Sequence, residues 1–136
     1  MADIKVLELE VEYSLSNGSF ISVMLSDNEV RADIYDEFRV IQAIKFFPLS
    51  VNYRKIADTM LSSFSESVAI IDKVEAVVLQ VNKDFRVPII CKPSERGSDL
   101  FIGEELTRAT TVDFDNNEQL IAECKNWALE IYNKER

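Results

Sequence analysis

Apolar and polar residues alternate along the first part of the chain. Apolar residues occupy every second position from Leu7 to Leu15, and glutamate or serine fills the positions between them. A period of two is typical of a β-strand with one face in the core. The dipeptide Asn17-Gly18 follows, and a second apolar alternation lies within residues 19–26. Because Asn-Gly favours tight turns between paired strands, this pattern predicts an N-terminal β-hairpin.

The register of this hairpin depends on the length of its turn. A two-residue turn would set the apolar residues of the second strand on the same face as the glutamates of the first. A three-residue turn, Ser16 to Gly18 with Gly18 left-handed, gathers the apolar residues on one face, and we therefore predict it. The expected pairs are Tyr13 with Ile21, Val11 with Val23, and Leu9 with Leu25. The other face then carries an acidic row with about 7 Å between neighbours, formed by Glu8, Glu10 and Glu12.

Residues 27–47 fit two patterns. The sequence Ser26-Asp27-Asn28-Glu29 has the form of a helix capping box, and apolar residues follow it at helical spacing. Residues 29–35 also alternate, and Asp27-Asn28 would then be a second hairpin turn. We favour a helix over a third strand here. Pro48 ends the element in either case.

Two further stretches have apolar residues at helical spacing. The first covers residues 53–64, with Asn52 or Ser50 as its N-terminal cap. The second covers residues 70–81 and is rich in β-branched side chains, so its C-terminal half is alternatively a strand. The middle of the chain is therefore predicted to form helices.

The rest of the chain predicts two strands and a helix. Residues 86–91 resemble a short strand in which Pro88 requires an edge or a bulge, and residues 93–99 resemble a polar loop. Residues 106–114 alternate, and Asp115 is the expected cap of a C-terminal helix. The predicted fold class is α+β. It comprises a mostly antiparallel sheet with an N-terminal hairpin, central helices and a C-terminal amphipathic helix packed on one face.

Length and composition indicate one folded domain over residues 1–136. Hydrophobic residues make up 47% of the chain, and only three Gly and three Pro occur, which is compatible with a sizeable core. No stretch has the roughly 20 apolar residues of a membrane helix, and the start lacks the features of a signal peptide. We therefore expect a cytoplasmic protein without membrane contact. Cys91 and Cys124 are expected to be buried free thiols rather than a disulfide.

The chain contains no histidine. This excludes Ser-His-Asp and Cys-His nucleophilic systems and every metal site with a histidine ligand. The glycines form neither a dinucleotide fingerprint nor a phosphate loop. Asp113 followed by Glu123 and Lys125 has the order of a magnesium nuclease motif, but helical spacing would turn the last two about 200° apart. We therefore predict a protein that is not an enzyme and uses no cofactor or metal.

The net charge is −9. Such a charge repels nucleic-acid phosphates and anionic lipid, so we expect neither as a partner, and it suits a basic protein. Like charges in a row are mildly destabilising, which favours a binding role for a row that is retained. The alternative is a solvated sheet face that serves solubility alone. The candidate partner-binding residues are Glu8, Glu10, Glu12, Asp33, Asp36 and Glu37.

Three functional hypotheses follow. The first is an inhibitor or neutralising partner of a basic effector, such as an immunity protein, an antitoxin or a phage anti-defence protein. The second is an assembly or secretion chaperone that acts as a homodimer, which a large apolar interface would favour. The third is a sponge or sensor for a small anionic, nucleotide-like ligand held by Arg54, Arg86 and Arg108. A deep pocket lined by two of these arginines would favour it.

Overall fold

A computed structural model of the chain describes residues 4–26 and 28–135. The described residues form eight strands and two helices. The strands are β1 (Lys5–Leu15), β2 (Phe20–Ser26), β3 (Glu29–Tyr35), β4 (Ile41–Pro48), β5 (Ile70–Asn82), β6 (Phe85–Pro93), β7 (Ser98–Ile102) and β8 (Glu105–Thr110). The helices are α1 (Tyr53–Leu61) and α2 (Asn117–Glu135).

The strands are ordered β4-β3-β2-β1-β5-β6-β7-β8. Pairs of strands joined by short turns are antiparallel, so the predicted α+β class with a mostly antiparallel sheet is confirmed. Two compact units are present, one of Glu10–Val74 and one of the described parts of Met1–Leu9 and Glu75–Arg136. Strands β1 and β5 contribute residues to both units. The single domain expected over residues 1–136 stays a prediction.

The N-terminal hairpin has the predicted register. The Leu15 amide donates to the Ser19 carbonyl at 2.9 Å, which closes a turn of three residues. Gly18 has a φ of 87°, the left-handed conformation that this turn requires at its third position. Two of the predicted pairs, Tyr13 with Ile21 and Val11 with Val23, are observed between β1 and β2.

The prediction of a helix over residues 27–47 is wrong. Strands β3 and β4 occupy this stretch, and Asp27 lies outside the described residues. Val30, Ala32 and Ile34 are all buried, as an alternating strand requires, and β3 pairs with β2 along its whole length. The apolar spacing suggested a helix because residues four positions apart lie on one face of a helix, but such residues also lie on one face of a strand. The pairing with β2 therefore decides the conformation of this stretch.

Helix α1 covers one face of β2 and β3 in the unit Glu10–Val74. The helix predicted over residues 53–64 is confirmed, although it ends at Leu61, and Asn52 caps it by accepting the Arg54 amide at 2.8 Å. The buried residues of α1 meet a buried apolar sheet face, formed by Val11, Tyr13, Leu15, Ile21, Val23, Val30, Ala32 and Ile34. The opposite face of these strands carries the polar residues.

The prediction of a second central helix over residues 70–81 is wrong, because β5 occupies this stretch. The alternative of a strand in its C-terminal half is correct. Val77, Leu79 and Val81 are buried at every second position, and β5 pairs with β6 from Glu75 onwards. Abundant β-branched side chains and this pairing outweigh the helical spacing.

Strand β6 corresponds to the strand predicted over residues 86–91. Pro88 lies opposite Val78 of β5. Strand β7 pairs only with Ile90–Pro93 of β6, so Pro88 lies beyond the end of β7. The missing amide of the proline therefore interrupts no pairing on that side.

Strand β7 was not predicted, because residues 93–99 resemble a loop. It begins at Ser98, directly after Gly97. A Cβ atom on Gly97 would lie 2.5 Å from the carbonyl oxygen of Thr110, so two backbone segments approach here more closely than a side chain allows. The strand predicted over residues 106–114 is present as β8, but it ends at Thr110.

The predicted C-terminal helix is confirmed as α2, which packs against β6. The expected cap, Asp115, is not the residue that precedes it. Asn116 holds that position, and its Oδ1 accepts the Gln119 amide at 3.3 Å. The apolar stripe includes the buried residues Leu120, Cys124, Trp127 and Ala128.

Candidate binding surface

The sheet face opposite α1 in the unit Glu10–Val74 combines acidic and apolar side chains. Glu12 lies beside Ser22, Ser22 beside Asp33, and Asp33 beside Ile44. Because residues directly opposite in antiparallel strands share a face, the two rows that begin at Glu10 and Glu12 each run from a carboxylate on β1 to an apolar side chain on β4. We call this surface the mixed face. Its residues are Glu10, Glu12, Phe20, Ser22, Met24, Arg31, Asp33, Tyr35, Ile44 and Phe46.

Asp33 is fully buried at the centre of the mixed face. Its Oδ1 accepts a hydrogen bond from Arg31 Nε at 2.8 Å, and its Oδ2 accepts one from the Tyr35 hydroxyl at 3.1 Å. The hydrogen bond to Asp33 raises the pKa of Arg31. Burial, followed by the hydrogen bond to Asp33, raises the pKa of Tyr35. Arg31 therefore stays charged and Tyr35 stays neutral, and these donors compensate the buried carboxylate.

Glu10 and Glu12 lie half-buried at the β1 side of the mixed face. Glu10 Oε1 accepts a hydrogen bond from Ser22 Oγ at 2.7 Å. Glu12 Oε1 lies 3.8 Å from a guanidinium nitrogen of Arg39, which is largely exposed. An ion pair of that length and exposure is weak. Both glutamates therefore leave negative charge available to a partner.

An aromatic pair flanks these carboxylates. The rings of Phe20 and Tyr35 stack with their centroids 5.0 Å apart. The guanidinium carbon of Arg39 lies 4.6 Å from the centroid of Phe20, within the range of a cation–π interaction. Arg39 is thus held between the Phe20 ring and the Glu12 carboxylate.

The turn between β3 and β4 is built around Asp36. Its Oδ1 accepts the amides of Phe38 and Val40, both at 2.9 Å, and its Oδ2 accepts Gln42 Nε2 at 3.1 Å. Arg39 has a φ of 65°, a left-handed conformation that is unfavourable for a residue with a Cβ. The Asp36 carboxylate is therefore engaged within the turn.

Exposed apolar residues are concentrated on β4 and its two flanks. Six large apolar side chains between residues 38 and 49 are 44–78% exposed. Three of them lie on β4 and three on its flanks, and a contiguous exposed apolar patch often marks an interaction surface. The six are Phe38, Val40, Ile41, Ile44, Phe46 and Leu49.

The remaining predicted acidic residues occupy separate positions. Glu8 is exposed on β1, in the part of that strand that precedes Glu10. Glu37 is exposed in the β3–β4 turn, and its side chain lies beside Gly18 of the first hairpin. Of the six predicted residues, the structure thus gathers Glu10, Glu12 and Asp33 on the mixed face. Glu37 lies in the same compact unit.

The arginines proposed for an anion site lie on three different elements. Arg54 Nε on α1 pairs with Asp58 Oδ1 at 3.2 Å. Arg108 NH1 on β8 pairs with Glu130 Oε2 at 2.6 Å, and Arg86 is exposed on β6. Arg54 and Arg108 therefore have carboxylate partners within their own units.

A buried polar cluster that the sequence did not reveal lies in the other compact unit. Glu75 is fully buried, and its Oε1 accepts a hydrogen bond from Asn117 Nδ2 at 2.7 Å. Its Oε2 has no hydrogen-bond partner among the described residues. Burial raises the pKa of Glu75 to about 7. Glu75 is two positions before Val77 in the alternation that continues with Leu79 and Val81. Once residues 70–81 are recognised as a strand, this alternation predicts that the Glu75 side chain is buried.

The two cysteines are free and buried, as predicted. Their Sγ atoms are 3.7 Å apart, and hydrogen bonding to Cys124, followed by burial, raises the pKa of Cys91. A thiol that stays protonated is a poor nucleophile. Within the described residues, no group of three His, Cys, Asp or Glu side chains is arranged to hold a metal ion.

Comparisons of this chain with known protein families, with curated proteins and with solved structures gave no match. None of the described helices has the length and apolar character needed to cross a membrane. A function therefore has to be inferred from the chain's own residues, among which the mixed face is the most developed surface.

Proposed function

We propose that this chain is a non-catalytic binding protein that inhibits or neutralises a basic protein partner, as immunity proteins, antitoxins and phage anti-defence proteins do. The mixed face is the surface that binds. The observation that carries the proposal is the cross-strand register, which puts Glu10 and Glu12 on the same face as the exposed side chains of Ile44 and Phe46.

The two ends of the mixed face would contribute differently to binding. Carboxylates attract a basic partner over distance and raise the association rate. Buried aromatic and aliphatic side chains supply most of the affinity at the centre of an interface. Glu10 and Glu12 therefore guide and orient the partner, and Phe46 with Ile44 hold it once bound.

The hydrogen bonds of Asp33 support this role by fixing the surface between the two ends. Arg31 and Tyr35 are both held by the buried carboxylate, so neither has to be ordered when a partner binds. Ordering side chains costs about 0.5–1.5 kcal/mol for each immobilised long side chain. A face that is fixed in advance avoids part of that cost.

Affinity purification from native lysate, quantified by mass spectrometry, tests the proposal. The wild-type chain is compared with E12K and with the control E104K, which makes the same change of charge at an exposed position of the β7–β8 turn. We expect basic proteins that are released by salt, recovered by wild type and control, and recovered much less by E12K. Recovery of the same proteins by the wild type, the charge-reversal variant and the control would contradict the proposal, as would recovery of no basic protein.

A chaperone that acts as a dimer is a second candidate, favoured by the exposed apolar residues of β4 and its flanks. Such a protein would bind unfolded polypeptide through apolar contacts. We test it with a reduced and alkylated protein that cannot fold, using wild type, F46E and E12K. Binding that F46E abolishes and E12K preserves supports this candidate, whereas no binding by wild type excludes it.

A further inference from the structure

Strand β4 is the last strand at its end of the sheet. It pairs with β3 on one side, and no other described strand lies on its free side. Such an edge leaves backbone amides and carbonyls available for pairing with another chain. From this edge and its side chains we infer that residues Ile41–Phe47 pair antiparallel with the same strand of a second copy, forming a homodimer. The inference is argued from the free edge of β4 and not from the proposed basic partner, although both involve the side chains of Ile44 and Phe46.

The exposed apolar area fits a dimer interface. Six apolar side chains on β4 and its flanks are 44–78% exposed. With about 150–200 Å² for each fully accessible side chain of this kind, they present on the order of 600 Å² on each copy. Stable interfaces bury about 800 Å² on each partner. Three of the six, Ile41, Ile44 and Phe46, lie within the pairing segment, so the proposed interface also includes the flanks of β4.

The charge of the segment also fits self-pairing. In a chain with a net charge of −9, the stretch of residues 40–51 contains a single charged residue, Lys45. A basic partner gains nothing electrostatically from such a strand. A largely apolar strand with little charge complements it better, and β4 itself has those properties.

Two-fold symmetry restricts the register of the pair. Two copies of one strand that pair antiparallel about a two-fold axis place some residue opposite itself. A centre on Lys45 sets two lysines opposite each other, which is unfavourable. A centre on Ile44 sets Ile44 opposite Ile44, and Lys45 opposite Ala43 of the second copy. Lys45 lies opposite Ala32 of β3, on the α1 side of the sheet, so it does not interrupt the apolar side of the contact.

The ends of β4 limit the pairing segment. At one end, Ile34 lies opposite Ala43 and Tyr35 opposite Ile41, so Gln42 is an extra residue of β4, which the second copy has to accommodate as a bulge. At the other end, Pro48 has no amide to donate. The paired length is therefore at most Ile41 to Phe47. A symmetric pair of this length brings the Ile44 and Phe46 side chains of both copies together on the mixed face. Glu10 and Glu12 of each copy then lie outward of that apolar centre.

Sedimentation equilibrium of the full chain from low to high micromolar concentrations tests the inference. We expect a reversible dimer for wild type and for the control I71E, in which an exposed isoleucine of β5 is changed in the same way. We expect I44E to weaken the dimer at least about tenfold, with an unchanged far-ultraviolet circular dichroism spectrum. A wild-type chain that is monomeric throughout, or a folded I44E variant that dimerises as wild type does, overturns the inference.

A cysteine variant tests the register and covers the case in which I44E fails to fold. Under mild oxidation by a diazene dicarboxamide, I44C is expected to form a disulfide-linked dimer much faster than I71C at equal concentration. Each disulfide forms from two thiols, whose two hydrogens and two electrons pass to the oxidant. Equal, slow cross-linking of I44C and I71C overturns the inference. Loss of basic-partner binding with an intact dimer affects only the proposed function.

Discussion

Ile44 of β4 lies directly opposite Asp33 of β3, so an exposed isoleucine and a fully buried carboxylate share one face of the sheet. The carboxylate is compensated by the donors of Arg31 and Tyr35 on its own strand. The isoleucine has water on its free side. The mixed face therefore has hydrogen-bonded side chains at its centre and exposed apolar side chains along β4.

The Arg31–Asp33 pair predicts unequal effects of removing its two members. The Arg31 side chain is 32% exposed and the Asp33 side chain 1%. D33N leaves an arginine that can reach water, whereas R31M leaves a buried carboxylate with one donor fewer. We expect R31M to lower the free energy of unfolding more than D33N does. Equal losses in urea unfolding would contradict this description of the pair.

The left-handed conformation of Arg39 predicts an order of stability among its variants. R39A keeps the unfavourable φ and loses the contacts with Phe20 and Glu12, whereas R39G loses the same contacts and relieves the backbone. We expect R39G to be more stable than R39A by about 1 kcal/mol. Chemical unfolding of the two variants side by side measures this difference. A more stable R39A would show that residue 39 is not left-handed in solution.

Glu75 predicts a stability that falls as the pH rises. Its pKa is raised from 4.5 to about 7 in the folded chain. Between these values the unfolded chain has lost the proton and the folded chain keeps it, so the unfolded state is favoured increasingly. The contribution is complete below pH 4.5 and lost above pH 7, a difference on the order of 3 kcal/mol.

The variant E75Q isolates this effect, since a neutral amide keeps the shape and accepts the hydrogen bond from Asn117. We expect wild type minus E75Q to become more negative from about pH 4 to pH 8 in urea unfolding. The groups beside Glu75 are Cys91 and Asn117, and neither titrates in this range. A difference that is constant with pH would contradict a raised pKa.

Alanine substitutions at Gly97 and Gly103 test the close approach of two backbone segments just before β7. Both have a positive φ, 153° for Gly97 and 64° for Gly103. A Cβ atom on Gly97 would lie 2.5 Å from backbone atoms of Thr110 and Thr111, whereas no atom lies within 4 Å of the place that a Cβ on Gly103 would take. We expect G103A to cost about 1 kcal/mol, from the backbone alone. G97A should cost more than about 2 kcal/mol, because strands β7 and β8 must move apart. Thermal unfolding that ranks them in reverse order would contradict the close approach.

The hairpin register was predictable because a wrong turn length would have placed apolar residues on the glutamate face. Strand β4 was not predictable, since its apolar residues are mostly exposed and their spacing matches a helix as well as a strand. The burial of Glu75 depended on recognising β5 first. Asp33 could be predicted as a candidate binding residue, but its burial could not, because the side chains that cover it are Arg31 and Tyr35 on the same face.

The most direct test of the mixed face uses the basic partner recovered by affinity purification and measures its association and dissociation rates at several salt concentrations. We predict that E12K lowers the association rate and weakens its salt dependence, and that F46A raises the dissociation rate while leaving association nearly unchanged. The control E104K, which makes the same change of charge at an exposed position of the β7–β8 turn, should match wild type in dissociation. If E12K and F46A both bind with wild-type rates, the mixed face is not the binding surface.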